Sequence, residues 1–107
     1  MMKLIIQSTN IDLSPRLRLF IEKRIGSLDK YFPRTNSKDR QPEARIELIK
    51  TNELGRVGEM YEVETNIRVP GKILRATSKK RDMLSAIVDV KEMLYIELKK
   101  YKESRQT

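Results

Sequence analysis

The chain has 107 residues and carries 23 Lys and Arg against 15 Asp and Glu, a net charge of +8. That length suits one domain, and the absence of Cys and His excludes a disulfide scaffold, thiolate or Ser-His catalysis, and thiolate or imidazole metal sites. No segment approaches the roughly 18 apolar residues of a membrane span, and the apolar run in Met1–Gln7 is too short for a signal peptide. The expectation is a soluble cytoplasmic protein whose excess charge suits an anionic partner, nucleic acid or a membrane surface.

Lys3 to Ser8 is rich in β-branched residues and bounded by Thr9-Asn10, which predicts a first strand. Ser14-Pro15 is a helix start: the hydroxyl caps free amides, and proline sits where an N–H is not needed. Leu17, Phe20, Ile21, Ile25 and Leu28 continue at helical spacing, with Gly26 as a weak point and Pro33 beyond the end. Thr35 to Pro42 is polar and aperiodic, a loop. Ala44 to Ile49 alternates as a second strand, and Thr51 to Gly58 is a second loop. In Met60 to Val69, Tyr61, Val63, Thr65, Ile67 and Val69 alternate with polar neighbours, a strand with one apolar and one wet face. Pro70-Gly71 marks a hairpin turn into a fourth strand over Ile73 to Ser78. Asp82 caps a long helix whose stripe is Met83, Ile87, Val90, Leu94, Leu98 and Tyr101.

The order β-α-β-β-β-α implies a single-domain α+β fold, a four-stranded sheet with two helices packed on one face. Residues 1–101 form the domain, and 102–107 are expected to fray. This order contains that of a double-stranded RNA-binding domain, with an added N-terminal strand.

Little here suits catalysis. Glu62 and Glu64 share a strand face, but a solvated outer face explains them better than an acid–base pair. Gly55 and Gly58 lack the spacing of a phosphate loop, and no carboxylates have metal-ligand spacing. The expectation is a protein with no catalytic residues, metal or cofactor.

The cations are more informative. Lys79, Lys80 and Arg81 stand where the fourth strand meets the last helix, a phosphate-binding corner beside free amides. Lys91, Lys99, Lys100 and Lys102 extend positive charge along that helix, and Arg18 and Arg24 do so along the first. Side-by-side helices would put these residues on one molecular face. Tyr31, Phe32 and Tyr101 are expected to close the core rather than stack on bases.

Two blocks of sequence point further. The first is Asn10-Ile11-Asp12-Leu13-Ser14-Pro15-Arg16-Leu17-Arg18-Leu19-Phe20, continuing into Leu28-Asp29-Lys30-Tyr31-Phe32. The second is Leu74-Arg75-Ala76 with Asp82-Met83-Leu84-Ser85-Ala86-Ile87. With them the chain resembles the ribosome hibernation-promoting factor and ribosome-associated inhibitor A family over nearly its whole length. The resemblance implies a β-α-β-β-β-α fold and a translation silencer acting in starvation or stationary phase. Such a protein binds the small ribosomal subunit and its ribosomal RNA in the messenger and transfer RNA channel, at the A and P sites. Pairing of the bound ribosomes is left open.

By position, Arg18, Arg24, Lys79 and Lys100 match basic positions common in that family, whereas Lys80, Arg81, Lys91, Lys99 and Lys102 rest on charge alone. Met93 and Ile96 stand where the family carries cations, and Leu84 where it carries an aromatic residue. A wide core covering Met93 and Ile96 is expected. The resemblance is to the short form, so neither a dimerisation domain nor an acidic tail is expected. Two alternatives remain: a double-stranded RNA-binding module, or a protein-interaction module using exposed Met93 and Ile96.

Overall fold

The computed structural model describes residues 2–32, 41–51 and 58–105. Strand β1 (Lys3–Thr9) leads into helix α1 (Pro15–Arg24) and a 3-10 segment (Gly26–Tyr31). Strands β2 (Glu43–Thr51), β3 (Met60–Val69) and β4 (Lys72–Lys80) follow, and helix α2 (Met83–Arg105) ends the fold. The sheet order is β1-β2-β3-β4. The first pair is parallel and the other two are antiparallel, so the sheet is mixed. A parallel neighbour needs a crossover long enough to return the chain to the same end, and α1 supplies it. Val69 pairs with Lys72, which makes Pro70-Gly71 a two-residue turn. Gly71 sits there at φ 78°, a conformation costly for a residue with a Cβ.

Alternation divides the sheet. Ala44, Ile46 and Leu48 of β2, Val63, Ile67 and Val69 of β3, and Leu74 and Ala76 of β4 are buried together. Against them pack Ile21 of α1, Leu28 of the 3-10 segment, and Met83, Ala86, Ile87, Val90, Leu94 and Leu98 of α2. One core therefore lies between one sheet face and both helices. Each fully buried Leu or Ile contributes about 1.5–3 kcal/mol from area removed from water. Two polar side chains in this layer are satisfied. Thr65 Oγ1 donates to the Ala76 carbonyl at 2.9 Å, and Ser78 Oγ donates to Asp89 Oδ2 at 2.7 Å. The four-stranded sheet with two helices on one face agrees with the sequence-based expectation.

Four details differ from it. The single helical stripe through Leu28 is two elements, because α1 stops at Arg24. The Ser27 hydroxyl donates to the Arg24 carbonyl at 2.7 Å, and the Leu28 amide reaches only to the Ile25 carbonyl. Gly26 has low helix propensity at this point, and side-chain capping with 3-10 bonding takes over. The segment is held to the sheet by Asp29 Oδ1, which accepts from the Met2 amide at 2.7 Å. Second, β4 runs to Lys80 rather than stopping at Ser78, because Tyr61 and Glu62 of β3 still pair with Lys80 and Lys79. Third, α2 continues to Arg105, past the Tyr101 at which the sequence reading ended the folded domain. Tyr101 anchors this end by donating from its hydroxyl to the Pro70 carbonyl at 2.8 Å.

The fourth detail is a correction to the expected wide core. Met93 is 36% exposed and Ile96 50% exposed, so the core does not cover them. Around the helix Met93 lies about 20° and Ile96 about 80° beyond Ala86, the residue bounding the buried stripe on that side. The loop expected over Thr35 to Pro42 falls mostly outside the described residues, as does most of that over Thr51 to Gly58.

Candidate nucleic-acid interface

On α1, Ser14 accepts from the Leu17 amide at 3.1 Å, and Lys23 and Arg24 fall in the last turn, where cations suit the negative helix end. The Arg24 guanidinium carbon stands 5.1 Å from the centroid of the Phe20 ring, a cation–π arrangement that holds the side chain against a half-buried platform. Arg18 is exposed as well, but six residues earlier it points about 120° away around the axis. The two arginines border α1 from different sides.

On α2 the cations sort into two flanks. Lys91, Lys99 and Lys102 lie within about 80° of one another, and Tyr95 shares their stripe. The Tyr95 ring meets Tyr31 at a centroid distance of 5.2 Å, so this flank turns toward the 3-10 segment after α1. Lys100 lies roughly opposite Lys91, beside Met93 and Ile96. It forms an ion pair with Glu97 at 3.8 Å. That flank also carries Asp89, bonded to Ser78 of β4. Lys91 is 3.7 Å from Glu92. Both pairs are solvent-facing and worth little, so the lysines stay available to a polyanion.

Lys79, Lys80 and Arg81 do not converge. Within β4 successive side chains alternate, so Lys79 falls on the outer sheet face opposite Glu62. Lys80 falls on the helix side, 3.9 Å from Asp89. Arg81 lies over Gly58, its Nη1 3.7 Å from where a Cβ on that glycine would stand. The start of α2 already holds an anion. Asp82 Oδ2 accepts from the Ser85 amide at 2.9 Å and from the Ser85 hydroxyl at 2.8 Å. The hydroxyl and amide bonds from Ser85 hold the Asp82 carboxyl below its ordinary value of 3.8.

The outer sheet face mixes the signs, with an acidic centre bordered by Arg45, Arg68, Arg75 and Lys79. Glu47 of β2 pairs directly with Glu64 of β3, and Glu62 is on the same face. Burial first, then the charges of Glu62 and Glu47, push the Glu64 carboxyl above 4.5. Like charges directly across a ladder are mutually destabilising. Among the described residues no group of three or more acidic residues is placed to hold a metal.

Tyr31, Phe32 and Tyr101 all pack on the core, as expected of core-closing rings. Tyr95 escaped the sequence reading. The signal was present, because Lys91, Tyr95 and Lys99 follow one another four residues apart and so share a stripe.

Fold and charge together define a small basic α+β domain with cations along both helices. The chain belongs to the family described as Sigma 54 modulation protein / S30EA ribosomal protein, which matches residues 4–106. It is 30% identical over 102 residues to the ribosome hibernation promotion factor of Lactococcus lactis subsp. cremoris, covering 95% of this chain and 50% of the relative. To the ribosome hibernation promotion factor of Deinococcus radiodurans it is 28% identical over 101 residues, covering 91% of this chain and 47% of the relative. The chain thus spans about half the length of these curated relatives. Among solved structures, the N-terminal domain of Protein Y from Thermus thermophilus superposes with a TM-score of 0.75 at 20% identity, covering 94% of this chain and 99% of that one. A ribosomal subunit interface protein from Coxiella burnetii gives 0.72 at 23% identity, covering 96% and 99%. At these identities the structural likeness is one of fold.

Proposed function

We propose that this domain is a non-catalytic translation silencer of the cytoplasm. It binds the small ribosomal subunit through ribosomal RNA, in the messenger and transfer RNA channel around the A and P sites. The observation that carries the reading is the family match over residues 4–106, together with relatives named as ribosome hibernation promotion factors. The net charge of +8 and the cations of the helix layer fit a phosphate-rich partner. Arg18 and Arg24 on α1, and Lys91, Lys99, Lys100 and Lys102 on α2, are the proposed RNA contacts. Lys79, Lys80 and Arg81 join them as separate contacts at the end of β4 and the turn after it.

Inhibition would come from occupancy. A domain wedged in the channel excludes transfer RNA without any covalent step. Two measurements test this. The protein should co-sediment with small subunits in a sucrose gradient, and the distribution will show whether bound ribosomes stay single or pair. Inhibition of a translation assay should be stoichiometric with ribosomes and weaken as initiator transfer RNA is raised. Substoichiometric, irreversible inhibition would sink the occupancy mechanism.

One observation favours a second reading. Met93 and Ile96 are exposed neighbours on α2, which suits contact with a protein. Binding that survives high salt and is lost on Met93→Lys with Ile96→Arg would favour it.

A further inference from the structure

We propose that the groove floored by Tyr31 and Tyr95 holds one unpaired base of single-stranded RNA, with Lys99 and Lys102 on the adjoining phosphates. The inference rests on the RNA-binding reading above and names what this part of the surface would take. The groove has a volume of about 220 Å³ and is lined by Tyr31, Tyr95, Leu98, Lys99, Lys102 and Glu103. That is below the roughly 300–1,000 Å³ of clefts for drug-sized ligands, so it suits a single ring system rather than a cofactor.

Its chemistry is composite. The two phenol rings meet at 5.2 Å with a 58° tilt, which leaves aromatic surface on the groove side. Both rings are partly buried against the core, so their positions are held before any ligand arrives. Lys30 Nζ stands 5.2 Å from the Tyr31 centroid and adds a cation at the ring. With Lys99 and Lys102 this makes three cations against the single carboxylate of Glu103.

An aromatic floor calls for a flat ring, and a cationic rim calls for an anion. A nucleotide within a strand supplies both, as the base stacks and the backbone meets the lysines. A duplex hides the faces of its bases, so the occupant is an unpaired base. An acidic peptide would use the lysines but leave the rings without a partner.

The test uses the full chain and a short fluorescein-labelled oligouridine, alongside a strand of equal length made of abasic nucleotides. Base–aromatic stacking sets the scale, and Tyr95→Leu should weaken oligouridine binding by about 5- to 150-fold. The slope of affinity against salt should not change, because no cation is lost. Tyr95→Phe should bind like the parent. Lys99→Ala with Lys102→Ala should lower the slope by about 1.4, at roughly 0.7 per phosphate contact on a single strand. The abasic strand should bind the parent as weakly as oligouridine binds Tyr95→Leu, a comparison that stands even if the leucine variant misfolds. The chain has four Tyr and no Trp, so quenching of tyrosine emission by oligouridine but not by the abasic strand reports the stack directly.

Small subunits are titrated in parallel. If the parent binds subunits, and oligouridine and the abasic strand bind it equally, the base pocket is overturned and the ribosome reading stands. If the parent binds no subunits yet shows base-dependent quenching, the ribosome reading is overturned and the pocket stands. Displacement of oligouridine by polyglutamate with matching tyrosine quenching would overturn the inference in favour of an acidic protein partner.

Discussion

The helix layer and the outer sheet face are built from the same basic chain, yet they carry charge differently. On α1, Arg16, Arg18, Lys23 and Arg24 face a single carboxylate, Glu22. On the outer sheet face, Glu47 and Glu64 stand directly opposite each other with Glu62 beside them. A uniform spread of the +8 excess would give both faces a positive field. The acidic centre of the sheet repels a polyanion, whereas the cations of α1, and Arg45, Arg68, Arg75 and Lys79 around that centre, attract one. The difference teaches that net charge forecasts the sign of a partner but not the side it approaches.

The largest expected effect breaks the contact between the two regions. Leu94 is fully buried between α2 and the sheet. Leu94→Ala should cost about 2–5 kcal/mol, read as a lower urea midpoint with little change in slope. A smaller loss would mean that α2 is not the lid of this core.

Next comes binding, where the regions should separate. Arg18→Ala with Arg24→Ala should reduce the salt slope of ribosome binding by about 1.4–1.8, at roughly 0.7–0.9 per phosphate contact. Glu47→Gln with Glu62→Gln should leave that slope unchanged. Equal effects from both pairs would erase the proposed asymmetry. A related expectation follows from the divergence of Lys79, Lys80 and Arg81. Replacing all three with Ala should flatten the slope by less than the roughly 2–2.7 expected of three convergent phosphate contacts.

A smaller effect is pH-dependent. The Glu64 carboxyl is raised above 4.5 in the folded chain, so the native state holds its proton more tightly than the unfolded one. Stability from this group is therefore present at low pH and lost as pH rises through the folded value. Glu64→Gln should be more stable than the parent near neutral pH, with the gain disappearing in acid. Urea unfolding at both conditions checks the sign. A loss at neutral pH would show that the charged form is favoured by its surroundings instead.

The smallest effect sharpens the correction on α2. Met93→Lys with Ile96→Arg places cations on exposed positions, so stability should move by no more than about 0.5 kcal/mol per site. A thermal melt reads this directly. A loss of several kcal/mol would restore the wide core.

Most of the fold was legible because its signals are local. Period-two alternation marked β3, Ser14-Pro15 opened α1, and Asp82 opened α2, each a matter of neighbouring residues. The end of α1 was less legible. Gly26 flagged weakness, but the switch to 3-10 bonding depends on the Ser27 hydroxyl and on Asp29 reaching the Met2 amide, 27 residues away. Similarly, the extension of β4 to Lys80 depends on partners in β3 that a polar strand end does not announce.

The candidate interface divides the same way. Sequence by itself determined the excess of cations, their concentration on two helices, and the element order that stacks those helices on one sheet face. Only the tertiary structure decided that Lys99 and Lys102 border the Tyr31–Tyr95 groove, that Met93 and Ile96 beside Lys100 stay outside the core, and that Lys79 and Lys80 part to opposite sides of the sheet. The reason is physical. Helical and strand periods are fixed by the backbone within a few residues, whereas the direction each face takes is set by which other element buries its neighbour.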